Sequence, residues 1–519
     1  MLCGAEKFVA EVVVEPVALA NTPGALLGPL SRQPGPAVLD SSAFDETLGR
    51  YSILACRPLD VLTLRAGVLR DSRRRVLARR GDDEALWAAL AGAFSAVRVG
   101  QWGQSPVSGG QCPPYVPGWI GYVGYEVGRH VERLPCRAVR DTALPDLRLA
   151  FHDALLVYDA AEGTWQLVTL RFAGAAPSGA GAGAAALRRL AERAADLPPE
   201  PLPAPAAAAD AAARAAPRGA RSNFTPADYR RAVARCVEYI AAGDIFQVNL
   251  SQRFVLDRCP PPLDIYRALR RRNPASHAAM LAFRSAGQPC AVLSSSPELF
   301  LRVRPAGPDP SSDGGTADND RLFPAFSVLT RPIKGTRRRT GRPADDAAAA
   351  ADLLASPKDN AELAMIIDLL RNDLGRVCRF GTIRVTEPRR LETHPTVLHL
   401  VGTVAGVLRA GVGPAEMLRA TFPGGSITGA PKIRAMEIID ELEGVARGVY
   451  TGCIGIVGAD GSSEWNIAIR TIVCDGGRAL VQAGGGIVAD SDPAAEHLET
   501  LDKARALLEA IAEAGGPRR

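Results

Sequence analysis

The sequence predicts an α+β fold in which long helices lie between antiparallel strands. Two observations carry this prediction: helical and extended segments alternate along the distal half, and the extended segments have the pattern of antiparallel strands. Such an alternation is typical of a layered arrangement rather than of a doubly wound parallel sheet. At 519 residues the chain exceeds the ~250–300 residues at which one core usually stops growing. We therefore expect two lobes or one large layered body.

The elements of the distal half can be placed in order. A helix over Pro226–Ala241 follows Thr225, a residue type that caps helix N-termini, and a strand with alternating apolar residues runs over Phe246–Val255. The same patterns predict strands at Val292–Ser295, Leu299–Val303, Gly448–Val457 and Glu464–Val473, and helices at Asp345–Leu354, Asp359–Leu374 and Pro493–Ala512.

Composition divides the chain into three parts. Residues 1–173 are expected to form a sheet-building region, residues 174–224 an Ala- and Pro-rich linker with one helical pattern at Ala185–Leu197, and residues 225–516 a domain that holds the motifs described below. A second low-complexity patch, Pro305–Asp320, predicts an extended surface loop.

Charge and hydropathy exclude several classes of protein. The net charge is +5, from 61 basic and 56 acidic side chains that are interspersed, so no footprint for nucleic acid or for an anionic membrane is visible. No stretch approaches the ~20 apolar residues of a membrane span. The ten cysteines form no Cys-x-x-Cys pair, and the first residues lack the apolar run of a secretory signal. We expect a cytoplasmic protein.

The segment Pro332-Ile333-Lys334-Gly335-Thr336 places one amine in a proline-to-glycine turn. A lysine that is desolvated in a pocket has a lowered pKa, and its free amine can attack an electrophilic carbon. These residues alone are more typical of a basic surface turn, since three arginines follow.

Two pairs of carboxylates have helical spacing. Asp359 and Glu362 are three residues apart on one predicted helix, and Glu496 and Glu499 are three apart on another, so each pair projects from one helix face. Each pair alone is typical of an exposed face or of surface ion pairs. If the two faces converge, they form an all-oxygen site of the kind that suits Mg²⁺.

From about Asp228 to Leu508 the chain resembles the chorismate-utilising enzyme family. The resemblance rests on a series of motifs in order: Gly243-Asp244-Ile245-Phe246-Gln247-Val248-Asn249-Leu250, Ser295-Ser296-Pro297-Glu298-Leu299-Phe300, Pro332-Ile333-Lys334-Gly335-Thr336, Lys358-Asp359-Asn360-Ala361-Glu362, Phe422-Pro423-Gly424-Gly425-Ser426-Ile427-Thr428-Gly429-Ala430-Pro431-Lys432, Asn466-Ile467-Ala468-Ile469-Arg470-Thr471 and Ala483-Gly484-Gly485-Gly486-Ile487-Val488-Ala489-Asp490. The resemblance implies a four-layered α/β/β/α sandwich with two facing, largely antiparallel sheets.

Two positions separate the branches of that family. The aminodeoxychorismate synthases carry lysine in Pro-Ile-x-Gly-Thr, as Lys334 does here, whereas anthranilate synthases usually carry alanine. At Gln247 the isochorismate and salicylate synthases place a lysine that activates water, and glutamine is no general base. The resemblance therefore implies amination of chorismate at C4 to 4-amino-4-deoxychorismate, for 4-aminobenzoate and folate synthesis. The alternatives are anthranilate synthase component I and a non-catalytic paralogue that serves as sensor or scaffold.

The resemblance also implies roles for individual residues. Lys334 would be the nucleophile and Glu298 the general acid. Mg²⁺ would be held by Glu362 and Glu499, with Glu496 and Asp359 nearby or acting through water. Substrate contacts are expected from Gly335, Thr336, His399, Thr428, Tyr450, Arg470, Gly484, Gly485, Gly486 and Lys503, although His399 could instead be a core histidine.

The source of ammonia is not found in this sequence. A glutamine amidotransferase presents a Gly-x-Cys-x-Gly elbow, and the nearest match, Thr451-Gly452-Cys453-Ile454-Gly455, lacks the first glycine. The resemblance implies a separate glutamine amidotransferase subunit as partner, or free ammonia at high concentration.

Overall fold

A computed structural model gives the fold and describes residue 2 and residues 7–45, 48–99, 113–195, 219–305, 326–394 and 397–516. The described ranges hold ten α-helices, none of which is long and apolar enough to cross a membrane. The helices are α1 Pro23–Ser31, α2 Asp83–Phe94, α3 Ala182–Ala194, α4 Pro226–Ala241, α5 Pro262–Arg272, α6 Pro343–Ala355, α7 Pro357–Gly375, α8 Pro414–Thr421, α9 Lys432–Leu442 and α10 Pro493–Gly515.

The strands of the described ranges form two large sheets. They are β1 Phe8–Val17, β2 Ala37–Asp40, β3 Tyr51–Ala55, β4 Asp60–Arg65, β5 Val68–Arg70, β6 Val76–Ala78, β7 Val97–Val99, β8 Gly118–Val123, β9 Leu147–Phe151, β10 Ala154–Asp159, β11 Thr164–Ala173, β12 Arg221–Ser222, β13 Gln247–Leu256, β14 His277–Ser285, β15 Gln288–Ser296, β16 Leu299–Pro305, β17 Phe326–Arg331, β18 Ile333–Arg338, β19 Arg384–Thr393, β20 Val397–Val407, β21 Gly429–Ala430, β22 Cys453–Gly458, β23 Ser463–Ile467, β24 Thr471–Asp475 and β25 Arg478–Ile487.

The first sheet has the order β12-β13-β25-β24-β15-β14-β2-β3-β10-β11-β1-β7, with β21 paired to β13. The second has the order β18-β20-β17-β16-β23-β22-β8-β9-β4-β5-β6, with β19 paired to β20. Neighbouring strands pair antiparallel except β1 and β7. The predicted α+β class with two largely antiparallel sheets is thus confirmed. Both the first 173 residues and the distal part supply strands to each sheet, as β2 beside β14 and β8 beside β22 illustrate.

The larger apolar core lies between the two sheets. The ring centroids of Tyr122 on β8 and Phe283 on β14 lie 6.2 Å apart across this core. The side-chain amide of Asn466 on β23 donates a hydrogen bond to the backbone carbonyl of His277 on β14. A second core lies on the outer side of the first sheet, where α1, α3, α5 and α10 pack. Helices α6 and α7 pack on β18 and β20 of the second sheet. Helices therefore cover the sheets on the outside, and α7 and α10 lie beside the strands that carry the predicted site.

Local sequence signals account for the helix boundaries. Helix α4 has the predicted bounds, because Thr225 accepts a hydrogen bond from the Asp228 amide while the Asp228 carboxylate accepts one from Thr225 N. The Asp492 side chain caps α10 in the same manner. The helical pattern in the predicted linker forms α3. The predicted loop after Pro305 lies mostly outside the described residues; its flanking strands β16 and β17 pair antiparallel.

Two predicted strands differ from the structure. The strand expected at Gly448–Val457 begins only at Cys453, because positive φ angles at Gly448 (61°) and Thr451 (59°) form a turn before it. The strand expected at Glu464–Val473 is two strands, β23 and β24, which belong to different sheets. The chain passes between the sheets at Ala468–Arg470, where Arg470 has φ of 50°.

Candidate active site

One cavity of about 1140 Å³ brings the predicted site residues together. It opens where β13 and β25 of the first sheet and β18 and β20 of the second meet helices α7 and α10. Every predicted site residue except Thr428 lines it. Residues more than 200 positions apart in the chain therefore share one chamber, and carboxylates of both α7 and α10 line it.

Lys334 extends into this cavity from β18. Its strand has a register shift between Lys334 and Thr336, and Gly335 between them has φ of 73°, a conformation that favours glycine. The amine lies 3.6 Å from the point where a Cβ on Gly486 of β25 would be. Burial lowers the pKa of Lys334, although the charges of Glu362 and Glu298 act in the opposite direction. The amine is therefore more readily deprotonated than an exposed lysine.

Glu298 lies between β15 and β16 and is only 5% exposed. Its Oε1 accepts a hydrogen bond of 2.7 Å from the Ser426 hydroxyl. Burial raises the pKa of Glu298 to about 7, against the lowering effects of Ser426 and Lys334. A carboxyl group with this pKa carries a proton in a large fraction of molecules at neutral pH, which suits a proton donor.

The carboxylates of α7 and α10 are crowded at one side of the cavity. A Cβ on Gly485 would lie 3.0 Å from Glu496 Oε2 and 3.6 Å from Glu499 Oε1. Burial raises the pKa of Glu362 and of Glu496, and the charge of Glu499 adds to both shifts. Burial also acts to raise the pKa of Glu499, but Lys503 at 2.6 Å keeps it below its usual value. Glu362 and Glu496 therefore ionise less readily than exposed glutamates. A divalent cation bound beside these carboxylates would stabilise their ionised forms.

The described residues do not hold a complete metal site in this conformation, since no three His, Cys, Asp or Glu side chains among them are arranged to hold an ion. Glu499 is paired with Lys503, and Glu496 accepts a hydrogen bond of 2.7 Å from Ser491. Asp359 is paired with Arg337 at 3.1 Å. The oxygen ligands fit Mg²⁺ by their chemistry. Glu362 has no ion pair among the described residues, whereas Glu499 would have to exchange Lys503 for the ion.

Two cations, Arg470 and Lys503, also line the cavity. Arg470 is half-buried, burial lowers its pKa, and no ion pair between described residues includes it. Its Nη1 donates to the Lys503 carbonyl at 3.3 Å, and Lys503 Nζ donates to the Gly484 carbonyl at 2.9 Å. The strained backbone of Arg470 directs the side chain into the cavity at the passage between the sheets. An anionic ligand would supply the partner that this guanidinium lacks.

His399 borders the cavity and is also largely buried, so both expectations for it apply. Its Nδ1 lies 2.9 Å from Thr336 Oγ1. Burial lowers the pKa of His399 to about 3, helped by the neighbouring His394 ring, and the imidazole is therefore neutral. Tyr450 lines the cavity too, and burial raises its pKa.

Thr428 does not reach the cavity wall. Its side chain is fully buried, and its hydroxyl donates to the Gly424 carbonyl at 3.1 Å. Ser426 and Ile427 of the same glycine-rich run form the wall instead. The sequence analysis missed Ser426, and it also missed Asn249 and Gln482 as lining residues. The only sequence signal for Ser426 is that it is polar and close to Thr428.

Comparisons with known proteins identify the relatives of this chain. The family model of chorismate binding enzymes matches residues 69–509. The chain is 43% identical over 411 residues to anthranilate synthase component 1 of Streptomyces coelicolor, covering 79% of this chain and 75% of that protein. It is 38% identical over 503 residues to the Pseudomonas aeruginosa protein of the same name, and the alignment covers 96% of this chain and 94% of that protein. The crystal structure of anthranilate synthase component I from Streptococcus pneumoniae superposes on this chain with a TM-score of 0.68 at 29% identity. The superposition covers 90% of this chain and 93% of that structure.

These relatives carry the name of the alternative expectation, anthranilate synthase component I, and not that of aminodeoxychorismate synthase. The comparisons therefore favour the alternative over the C4 amination expected from the motif around Lys334. The shared cavity, its motifs and the match over 69–509 lead to one conclusion at the level of the family. The chain belongs to the chorismate-binding enzymes.

Proposed function

We propose that this chain is the chorismate-aminating subunit of a two-subunit synthase and that it converts chorismate and ammonia into anthranilate and pyruvate. The observation that supports amination is that one cavity is lined by Glu298, by carboxylates of α7 and α10, and by Arg470, which forms no ion pair among the described residues. The name shared by relatives at 36–43% identity supports anthranilate as the product.

Different residues of the cavity would perform different steps of this reaction. Arg470 and Lys503 would bind one carboxylate of chorismate. Mg²⁺, held by Glu362 and Glu499, would neutralise the charge of the other carboxylate when bound. Glu298 would give its proton to the C4 hydroxyl, which leaves as water while the nitrogen of ammonia bonds to C2 and both ring double bonds shift by one position; the new ammonium group then loses a proton to solvent. Loss of the C2 proton and of the side chain as pyruvate would then leave an aromatic ring.

The ammonia would come from a separate glutamine amidotransferase subunit. The segment of this chain most similar to a glutaminase elbow, Thr451–Gly455, has Cys453 at its centre, and Cys453 is fully buried in β22. Burial raises the pKa of this thiol, so Cys453 is a poor nucleophile. Free ammonium at high concentration is expected to replace the partner subunit in an assay.

A second candidate, formation of 4-amino-4-deoxychorismate, is favoured by one specific observation. The amine of Lys334 lies in the cavity, has a lowered pKa and interacts with Glu298. In this route the amine would bond to C2 while Glu298 protonates the departing C4 hydroxyl. Ammonia would then bond to C4, both ring double bonds would return to their original positions, and the C2–N bond would break to release the lysine as a free amine. No pyruvate forms.

The variant Lys334→Ala distinguishes the two candidates. If ammonia itself bonds to C2, the variant keeps anthranilate formation within about tenfold of wild type, because no covalent step is lost. If Lys334 is a nucleophile, 4-amino-4-deoxychorismate formation falls by about 10³-fold or more. Product separation by chromatography and mass spectrometry, with thermal unfolding as a check on folding, measures both. A severe loss of anthranilate in this variant would contradict the first candidate.

A further inference from the structure

Two cysteine side chains meet on the outer side of the first sheet. Cys474 is on β24 and is 3% exposed, and Cys259 lies in the segment after β13 and is half-buried. Both pack in the second apolar core, and their side chains are hydrogen-bonded to each other. The two residues are more than 200 positions apart, so the fold and not the local sequence brings the thiols together.

The backbone holds this contact in place without help from the sulfur atoms. Leu256, the last residue of β13, is opposite Ala479 of β25, and Ala479 is opposite Cys474 of β24. Leu256 and Cys474 are therefore two strand spacings, about 10 Å, apart. The chain then turns back across the single methyl group of Ala479. The amide of Cys259 donates to the Gly477 carbonyl at 2.7 Å, in the turn that follows β24.

The residues after Cys259 restrict its conformation. They are Pro260-Pro261-Pro262, and the last of these begins α5. Proline fixes its own φ and confines the preceding residue to extended conformations. The Cys259 thiol is also in hydrogen-bond contact with the Pro260 carbonyl at 3.4 Å. The half-buried thiol is therefore held beside its partner in a segment that has little freedom to move away.

The two thiols differ in reactivity. The hydrogen bond from Cys474 lowers the pKa of Cys259, although burial acts in the opposite direction. The same contact, together with burial, raises the pKa of Cys474 well above its usual value. Since the thiolate is the nucleophilic form, Cys259 suits the first attack on an oxidant and Cys474 the second step. Cys259 is also the more exposed of the two, so a small molecule reaches it first.

We propose that Cys259 and Cys474 form a redox modification site, at which a hydroperoxide converts the two thiols into a reversible disulfide. The Cys259 thiolate would bond to one peroxide oxygen, the O–O bond would break, and the other oxygen would leave with a proton as an alcohol or water. Cys474 would lose its proton as its sulfur bonds to the Cys259 sulfur, and the sulfenic oxygen would leave with that proton as water. The two thiols lose two electrons and the peroxide gains them. A dithiol reverses the step by thiol–disulfide exchange. The site does not depend on the reaction in the cavity.

Peptide mapping tests the disulfide directly. Trypsin cuts the chain into Cys259–Arg267 and Thr471–Arg478, each with a single cysteine. After treatment of the folded chain with hydrogen peroxide, a non-reducing digest should contain these two peptides joined with the loss of two hydrogens, and dithiothreitol should separate them. Oxidation of other cysteines while this pair stays reduced, or a link from either residue to a different cysteine, would overturn the proposal.

The order of attack is tested with single variants. In Cys474→Ser, the Cys259 sulfenic acid should persist and react with dimedone, whereas Cys259→Ser should give no adduct at Cys474. The opposite pattern would contradict the assignment of Cys259 as the attacking thiol. Cys290→Ser is the matched control, because Cys290 is buried on the neighbouring strand β15 but faces the core between the sheets. It should form the disulfide as wild type does, and its failure to do so would contradict a site of two cysteines.

A stability measurement tests whether the fold holds the two thiols in position. The disulfide closes a loop of more than 200 residues, so peroxide treatment should raise the Tm of wild type by several degrees, and dithiothreitol should reverse the rise. Cys474→Ser should show no such rise. An unchanged or lower Tm in the cross-linked wild-type chain would show that the bond distorts the sheet and would contradict the described placement of the pair.

Discussion

Glu298→Gln is expected to lower kcat for chorismate amination by about 10²–10⁴-fold, because glutamine cannot give a proton to the departing hydroxyl. The side chains have nearly the same size, and Ser426 can still hydrogen-bond to the amide oxygen. KM for chorismate should therefore change little. Steady-state kinetics with saturating ammonium measure the effect.

The pH dependence of the wild-type chain tests the same role. Burial raises the pKa of Glu298 in the free chain to about 7, and the protonated form is the active one, so kcat/KM for chorismate should fall as pH rises through about 7. The matched variant Ser426→Ala removes a hydrogen bond that lowers this pKa, so its descending limb should move to higher pH while activity at low pH remains. A wild-type profile that stays flat across this range, or an active Glu298→Gln, would rule out the proton-donor role.

The carboxylates of α7 and α10 carry the second large expected effect. Replacing Glu362 and Glu499 together with glutamine is expected to lower kcat/KM by about 10³-fold and to abolish the response to Mg²⁺, because several kcal/mol of charge stabilisation is lost. Chelation of divalent ions should inactivate the wild-type chain, and Mg²⁺ should restore it. Titration of activity and of Tm with Mg²⁺ provides two independent measurements.

The control for this prediction is Glu509→Gln on the same helix. Glu509 lies ten residues after Glu499 on α10 and is paired with Arg272 at 2.8 Å. Its Mg²⁺ response should match that of wild type. If the double variant keeps a normal Mg²⁺ titration, the assignment of these two glutamates to the metal is wrong.

The sequence predicted those features that depend on neighbouring residues. Thr225 with Asp228 and Asp492 before Pro493 specify helix starts through local hydrogen bonds, and both helices begin where expected. The spacing within the two carboxylate pairs predicted shared helix faces, and Glu362, Glu496 and Glu499 line one cavity.

Features set by distant contacts were not predictable. Nothing local indicates that Arg470 adopts a positive φ, since arginine rarely does, and only the separate pairing of β23 and β24 in two sheets requires it. The glycine-rich run was recognised, but whether Ser426 or Thr428 faces the cavity depends on its packing against Glu298 and Gly424. Oε1 of Gln247 and Oδ1 of Asn249 have no hydrogen-bond partner among the described residues, a feature that depends on where the neighbouring chain segments are placed.

Whole-chain similarity and the residue at position 334 indicate different products. Identity over several hundred residues reports mainly what preserves two large sheets and their core, and these are shared by enzymes of different chemistry. One side chain in the cavity can change the order of bond formation without changing the fold. Lys334 and the names of the relatives therefore point to different products, and identification of the product that forms decides between them.

The most direct measurement is the product that the purified chain forms from chorismate, Mg²⁺ and ¹⁵N-labelled ammonium. The account predicts ¹⁵N-labelled anthranilate, identified by fluorescence and mass, with one pyruvate released for each molecule. Labelled 4-amino-4-deoxychorismate without pyruvate would contradict the anthranilate assignment and establish the second candidate. Chorismate that binds but is recovered unchanged, or is converted without incorporation of label, would contradict amination in this cavity altogether.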